Sequence, residues 1–354
     1  MKMNLAAKMR IMVLALLCAA AFVHAEECEK SVLFQAKNEE NAVYSIRALY
    51  DNETFPGDAV FVRLKIEPES KGSSFLALKN HKISARLSLK SDADAQKTLS
   101  KADFYDSGKS LEDFADLLSG LPLSSFAAAG AYTLFVEFSA FGNESGESLS
   151  DLNQSLELKI TVKEKEFVSE TIPLDSKNTS IKTDDSQERI NQINRLNKIL
   201  YATDNTAVYQ TAAFSPPVSA TRRTSFFADR RTYVYTGGGS STSLHYGIDY
   251  GVGEGTKVFS CAAGKVVMAE FRISTGWSVC VEHLPGLYSL YYHMSVLDSE
   301  NAKVGKIIKQ GDLIGLSGST GLATGPHLHW EVRLLSEAVS PDFFTEDFAF
   351  EKRK

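Results

Sequence analysis

"GSTGLATGPHLHWEVR", residues Gly318–Arg333, is the stretch on which the reading of this chain turns. Its glycines and Pro326 read as a loop, because glycine opens backbone angles closed to other residues and proline cannot continue a hydrogen-bonded ladder. From His327 to Arg333 the pattern reads as a strand. Residues two apart in a strand face the same side, with alpha carbons about 6.5–7 Å apart, so His327, His329 and Glu331 share one face. Two imidazoles then look into one space, either as ordinary surface or core histidines or as parts of a site.

The other histidines favour a site. Of seven in the chain, five fall between His245 and His329. "LHYGIDYG" places His245 and Asp249 four apart, where Gly247, Gly251 and Gly253 argue against a helix. A fully extended strand would hold the two about 13 Å apart, too far for one metal ion. A bend at Gly247 would bring them together. Histidine nitrogens with one carboxylate oxygen suit zinc, and three protein ligands leave a fourth position open. His245, Asp249 and one member of the His327/His329 pair make such a set. The other member then stands beside the metal, where it can handle a proton.

At 354 residues the chain suits two domains better than one. Lys2, Lys8 and Arg10, an apolar run from Ile11 to Val23, and Val23-His24-Ala25 describe a secretory signal peptide over residues 1–25. Cys18 offers a lipoprotein alternative, although Leu17 before it is larger than such sites usually carry. Removing residues 1–25 leaves 35 basic against 44 acidic side chains, a charge of about −9, which opposes nucleic acid or an anionic membrane as the main partner. Cys28, Cys261 and Cys280 remain after cleavage and form no CxxC pattern. Cysteine zinc ligation is therefore not expected. Cys261 and Cys280 read as buried thiols, with a bridge as the alternative.

Residues 26–165 read as a β domain. "AVFVRLKI", "KISARLSLK", "YTLFVEF" and "LELKITV" each alternate with period two, which suggests an immunoglobulin-like β-sandwich. A helical interlude is expected near Leu111 to Leu118, and His81 reads as a surface histidine. Residues 166–205 read as a short helical linker: a polar stretch, then an amphipathic helix with Asp185 and Glu188 as a capping box and Ile190, Ile193, Leu196 and Leu200 on one stripe. Residues 206–354 change to short strands punctuated by glycine.

Over residues 214–342 the chain resembles the lysostaphin-type zinc endopeptidases, which include the LytM-like cell-wall hydrolases. The family's His-x-x-x-Asp, Tyr-x-His and His-x-His motifs stand here in order as "HYGID", "YYH" ending at His293, and "HLH". The flanking "FADRRTYVYTGG", "GVGEGTKVFSCAAGKVV" and "VGKIIKQGDLIGLSGSTG" match as well. One departure is Ala228, where the family usually has glycine, which puts local loop geometry in question.

The resemblance implies a mainly β protein whose C-terminal, antiparallel peptidase domain uses zinc. By resemblance the zinc ligands are His245, Asp249 and His329, His327 is the general base toward a zinc-activated water, and His293 donates to the developing oxyanion. The implied substrate is the peptide of bacterial peptidoglycan, cut by an exported protein of the periplasm or cell envelope. The N-terminal domain is open to an envelope protein partner. His283 reads as structural, Glu331 as a residue that could orient a histidine, and Arg222, Arg223, Arg230 and Arg231 as solvated. Two rivals stand beside the enzyme: a non-catalytic LytM-like activator of other wall hydrolases, and an envelope binding or structural protein in which zinc only steadies the fold.

Overall fold

The computed structural model describes residues 27–35, 43–68, 82–111, 114–142, 148–150 and 154–345. The signal segment with Cys18, and His81, lie outside these residues.

Alternation in the N-terminal sequences becomes strand burial. Val60, Val62, Leu64 and Ile66 on the Ala59–Pro68 strand meet Leu87, Leu89, Leu134, Val136, Leu158 and Ile160 in one core. The core lies between two sheets. One runs in the order Glu27–Gln35, Val43–Asp51, Ala59–Pro68, Ala115–Pro122, Tyr105–Asp106, and the other Glu53–Thr54, Gln154–Val162, Gly130–Gly142, Lys82–Ser91, Asp94–Asp103.

The outer face of the first sheet is also buried, which alternation did not foretell. Phe61 packs 6.3 and 6.1 Å from the rings of Phe343 and Phe344, near the C-terminal end of the described chain. The Arg63 guanidinium on the same face is held by the Asp116 carboxylate. The Gly57 carbonyl accepts from the Ser340 amide at 2.7 Å, so this sheet is pinned to the C-terminal part.

Double-sided burial also explains a correction. Among the described residues of the stretch Leu111 to Leu118 the expected helix is absent, and Ala115–Pro122 is a strand with all its residues buried. A strand covered on both faces loses its period-two signal and mimics a buried helical run.

The polar stretch after residue 166 is structured. Ser169–Pro173 pairs in parallel with Arg230–Val234, whose other edge pairs with Ser240–Leu244. Helix α1 follows at Ser176–Thr183 and helix α2 at Gln187–Leu200. Ser186 rather than Asp185 caps α2, its hydroxyl accepting from the Arg189 amide, while Asp184 takes the Ser186 amide. Leu196 and Leu200 bury against Met268, Cys280, Tyr288, Leu290 and Tyr292. Ile190 and Ile193 stay exposed. The helix therefore docks by its C-terminal half, aided by the Gln192 amide oxygen on the Ile273 amide at 2.8 Å.

The C-terminal part is built on one antiparallel sheet, in the order Arg223–Ser225, Gly247–Tyr250, Leu328–Leu334, Leu287–Met294, Gly276–Leu284, Gly264–Arg272, Ile307–Ile308, with Glu337–Val339 on Leu328–Leu334. Its central strands are buried nearly throughout because both faces are covered. Cys261 and Cys280 are free, buried, and in separate apolar clusters, so no bridge joins them.

Candidate active site

Three neighbouring strands deliver the site residues. The chain leaves one strand at Leu244, turns through His245 and Tyr246, and re-enters the central sheet at Gly247. Asp249 is then paired directly with His329, and Tyr292 with His329 from the other side. The break falls at the two residues before the glycine, and Gly247 serves by its bareness. A Cβ there would lie 2.2 Å from the Trp330 carbonyl oxygen and 2.9 Å from His329 Nε2.

His245 Nε2, His329 Nδ1 and Asp249 Oδ1 converge at 2.9–3.0 Å from one another. All three residues are buried. The far side of each ring fixes its proton, as assigned from the hydrogen-bond network. His245 Nδ1–H donates to the Phe226 carbonyl at 2.8 Å, and His329 Nε2–H to Glu331 Oε2 at 3.1 Å. Both inward nitrogens are then bare, and they meet an anionic oxygen with no hydrogen between them. Such a meeting of lone pairs is favourable only around a cation, so these residues fit a metal ion. Two imidazoles and a carboxylate are a donor set that zinc accepts.

The surroundings strengthen the donors. Glu331 is in turn held by Arg333, whose guanidinium lies 4.4 Å over the Tyr246 ring. The same acceptors draw positive charge to this ring: burial alone would lower the His329 pKa, but the bonds to Asp249 and Glu331 outweigh it and raise it to about 9, so a proton and a metal ion compete for Nδ1. Burial likewise opposes charge on Asp249, yet its histidine partners hold its carboxyl well below the usual range. Asp249 Oδ2 accepts from Arg231 Nη2 at 3.1 Å, and Arg231 Nε donates to Glu170 Oε1 at 2.6 Å. Tyr292 stacks on His329, ring planes 7° apart at 5.2 Å.

His327 and His293 face this cluster. His327 Nε2 lies 3.8 Å from Asp249 Oδ1, and its Nδ1–H donates to the Gly325 carbonyl at 2.8 Å. His293 Nδ1–H donates to the Thr320 carbonyl at 2.8 Å, and its ring lies 4.7 Å from that of His327. Burial first, then repulsion from His327 and His329, pushes its pKa down to about 3. His293 adopts φ 61, an uncommon left-handed backbone for a non-glycine residue. The loop ahead of His327 closes the other side: Gly321, at φ 74, packs against the Gly276 amide, where a Cβ would be 2.4 Å away.

All five expected site residues thus line one cleft of about 600 Å³. His283 stands apart, fully buried between the Ala263 carbonyl and the Ser289 hydroxyl. Three of the four arginines read as solvated are engaged: Arg231 as above, Arg230 on the Ser125 carbonyl, and Arg223 bidentate on Asp342. Arg231 and Glu170 carried no signal in the sequence, since their partners come from distant segments. Ala228 does adopt the left-handed geometry that glycine favours, with φ 63.

Residues 243–341 match the model of peptidase family M23. The C-terminal domain belongs to peptidase family M23. Relatives of this M23 domain include the DD-carboxypeptidase/endopeptidase Mpg of Neisseria meningitidis serogroup B, 38% identical over 98 residues, or 28% of this chain and 22% of that one. Lysostaphin of Staphylococcus simulans is 37% identical over 108 residues, 29% of this chain and 21% of that one. The chain thus spans about a quarter or less of the length of the curated relatives it matches. A solved Pseudomonas aeruginosa M23 protein shares the fold over 84% of this chain and 95% of its own, with a TM-score of 0.50 and 19% identity. That likeness extends beyond the M23 domain into the rest of the fold.

Proposed function

We propose that this chain is an exported zinc metalloendopeptidase that hydrolyses peptide cross-links of bacterial peptidoglycan. One observation carries the reading: in an M23 domain, three bare donors of His245, Asp249 and His329 converge beside two further histidines in one open cleft. Held there, zinc would supply a Lewis acid that makes water nucleophilic near neutral pH and polarises a carbonyl.

The remaining work falls to the chain's own groups. His327, its Nδ1–H committed to Gly325, presents a bare Nε2 that suits a general base toward the attacking water. His293, its Nδ1–H committed to Thr320, can donate from Nε2 only when doubly protonated, a state that burial and the neighbouring histidines disfavour at rest and that negative charge developing on the substrate beside it would favour. A proton released in the reaction next to it, across the 4.7 Å ring separation from His327, is a source for that state. Donation to the developing oxyanion then follows. Arg231 and Glu331 hold Asp249 and His329 in place.

Three finer elements go with the reading. The N-terminal sheets are taken as an immunoglobulin-like sandwich, open to an envelope partner. Residues 166–205, expected as a linker, supply one wall of the cleft through Glu170, Ile172, Leu174 and Lys182. Export rests on the N-terminal segment and on the wall substrate. The rival of a non-catalytic activator is disfavoured by the presence of all five site residues. Purified peptidoglycan would be digested with the mature protein, with and without chelator, and the fragments identified by mass. Chelator-sensitive release of cleaved cross-links supports the reading, and intact material in both arms returns the rival.

A further inference from the structure

The cleft is bounded by charges that satisfy one another, with one exception. Glu170 and Asp249 are paired with Arg231, and Glu331 with His329 and Arg333. Lys182, in the last turn of α1, also lines the cleft. Among the described residues no carboxylate lies within ion-pair distance of its ammonium. Instead that ammonium lies 4.2 Å over the face of the Tyr233 ring. Burial, followed by the nearby charges of Arg189 and Arg231, lowers its pKa. An anion arriving there would offset each of these effects.

The placement is fixed from both sides of α1. The Asn178 side-chain amide donates to the Ala323 carbonyl at 3.2 Å, in the loop that precedes His327. The Thr179 hydroxyl accepts from the Thr236 amide at 3.0 Å, just beyond the strand that carries Tyr233. Tyr233 is two positions from Arg231 and so on the same strand face, with alpha carbons about 7 Å apart. Arg231 touches Asp249. The ammonium is therefore about two to three residues of extended peptide from the metal donors.

We propose that Lys182 is a specificity-determining residue that binds a free carboxylate of the substrate peptide a few residues from the scissile bond. This rests on the peptidase reading above and adds to it a preference for acid over amide at one position. A charge-assisted bond of this kind is typically worth roughly tenfold to a hundredfold in affinity.

The test uses two versions of one cross-linked wall peptide, with the carboxylate free or amidated, and the full chain as wild type, Lys182→Met and Lys182→Arg. Binding is measured by calorimetry on the zinc-loaded protein in the His327→Ala background, where hydrolysis is slow, and turnover in the His327 background. Wild type should bind the acid at least about tenfold tighter than the amide, Lys182→Arg should keep most of that preference, and Lys182→Met should lose it with amide affinity unchanged. In turnover the same loss should appear in KM rather than kcat. Equal affinities of wild type for acid and amide, or equal loss of both in Lys182→Met, overturn the proposal. Absence of turnover with the acid preference intact would instead overturn the peptidase reading and leave the Lys182 site standing.

Discussion

Arg231 holds the one oxygen of Asp249 that the histidines leave free: its Nη2 lies 3.1 Å from Oδ2, while Oδ1 lies 3.0 and 2.9 Å from nitrogens of His245 and His329. A cation so close to a metal ligand would repel the metal were its charge not met elsewhere. Glu170, 2.6 Å away on the neighbouring strand, meets it. The net effect is orientation of the carboxylate with little change in local charge.

Arg231→Met should therefore lower zinc affinity, by about 10- to 100-fold, the usual cost of losing a partner of a metal ligand. Arg231→Lys should recover only part, because an ammonium cannot bridge two carboxylates with a planar fork. Competition against a chromophoric chelator gives the affinities. Wild-type affinity in Arg231→Met would mean that its strand alone fixes Asp249.

The two histidines of "HLH" should separate cleanly. His329→Ala removes a donor whose Nδ1 lies within 2.9 Å of both other ligands, and should lose zinc and activity together. His327→Ala should retain about one zinc per chain and lose roughly 100- to 10,000-fold in turnover, the typical contribution of a positioned acid or base. Metal content by elemental analysis is read beside turnover on a cross-linked wall peptide. Zinc lost from His327→Ala and kept in His329→Ala would reverse the roles.

What the sequence disclosed of this site follows from what spacing can encode. His329 and Glu331 lie two apart on a strand, so their shared face was legible, and the bond between them is the result. The closeness of His245 to Asp249 required a bend, and glycine marked where. The bend itself falls at His245 and Tyr246, and Gly247 is bare for the sake of the Trp330 carbonyl, a fact of the neighbouring strand that no local pattern carries. Arg231 and Glu170 meet through a parallel pairing across some sixty residues, which is likewise invisible locally. In the N-terminal part, period two was readable even on Ala59–Pro68, where Arg63, Lys65 and Glu67 mark the second face, and it failed at Ala115–Pro122, where both faces are buried and Leu117 and Leu118 stand side by side.

His283 gives a pH dependence of stability independent of the metal. Burial outweighs its bond to the Ala263 carbonyl and lowers its pKa from 6.5 to about 4 in the folded chain. Above about pH 6.5 neither state binds the proton, so the contribution is fully present. Between pH 6.5 and 4 the unfolded chain binds more protons, and stability falls as pH falls, by on the order of 3 kcal/mol in total. Denaturant unfolding of the full chain at stepped pH should show a steeper slope in wild type than in His283→Gln, which keeps only the slope of the other buried histidines such as His293. Parallel profiles for the two proteins would place the acid sensitivity elsewhere.

Gly247 and Gly253 flank Asp249 and make opposite demands. A Cβ on Gly247 would meet the Trp330 carbonyl oxygen at 2.2 Å, and backbone cannot swing aside as the end of a side chain can. To admit it, the Gly247–Tyr250 strand must withdraw from Leu328–Leu334, which parts Asp249 from His329, its paired neighbour. Overpacking of this kind typically costs 1–3 kcal/mol and occasionally more. Because the obstacle is main chain, Gly247→Ala should cost roughly 3 kcal/mol or more and lower zinc content with it. A Cβ on Gly253 meets nothing within 4 Å, and its φ is not in the left-handed region. Gly253→Ala should therefore be neutral or stabilise by up to about 1 kcal/mol, through reduced freedom of the unfolded chain. Thermal unfolding and zinc content, measured side by side, decide the matter. If Gly247→Ala melts with wild-type stability and full zinc, the strand contact that positions Asp249 against His329 is looser than described.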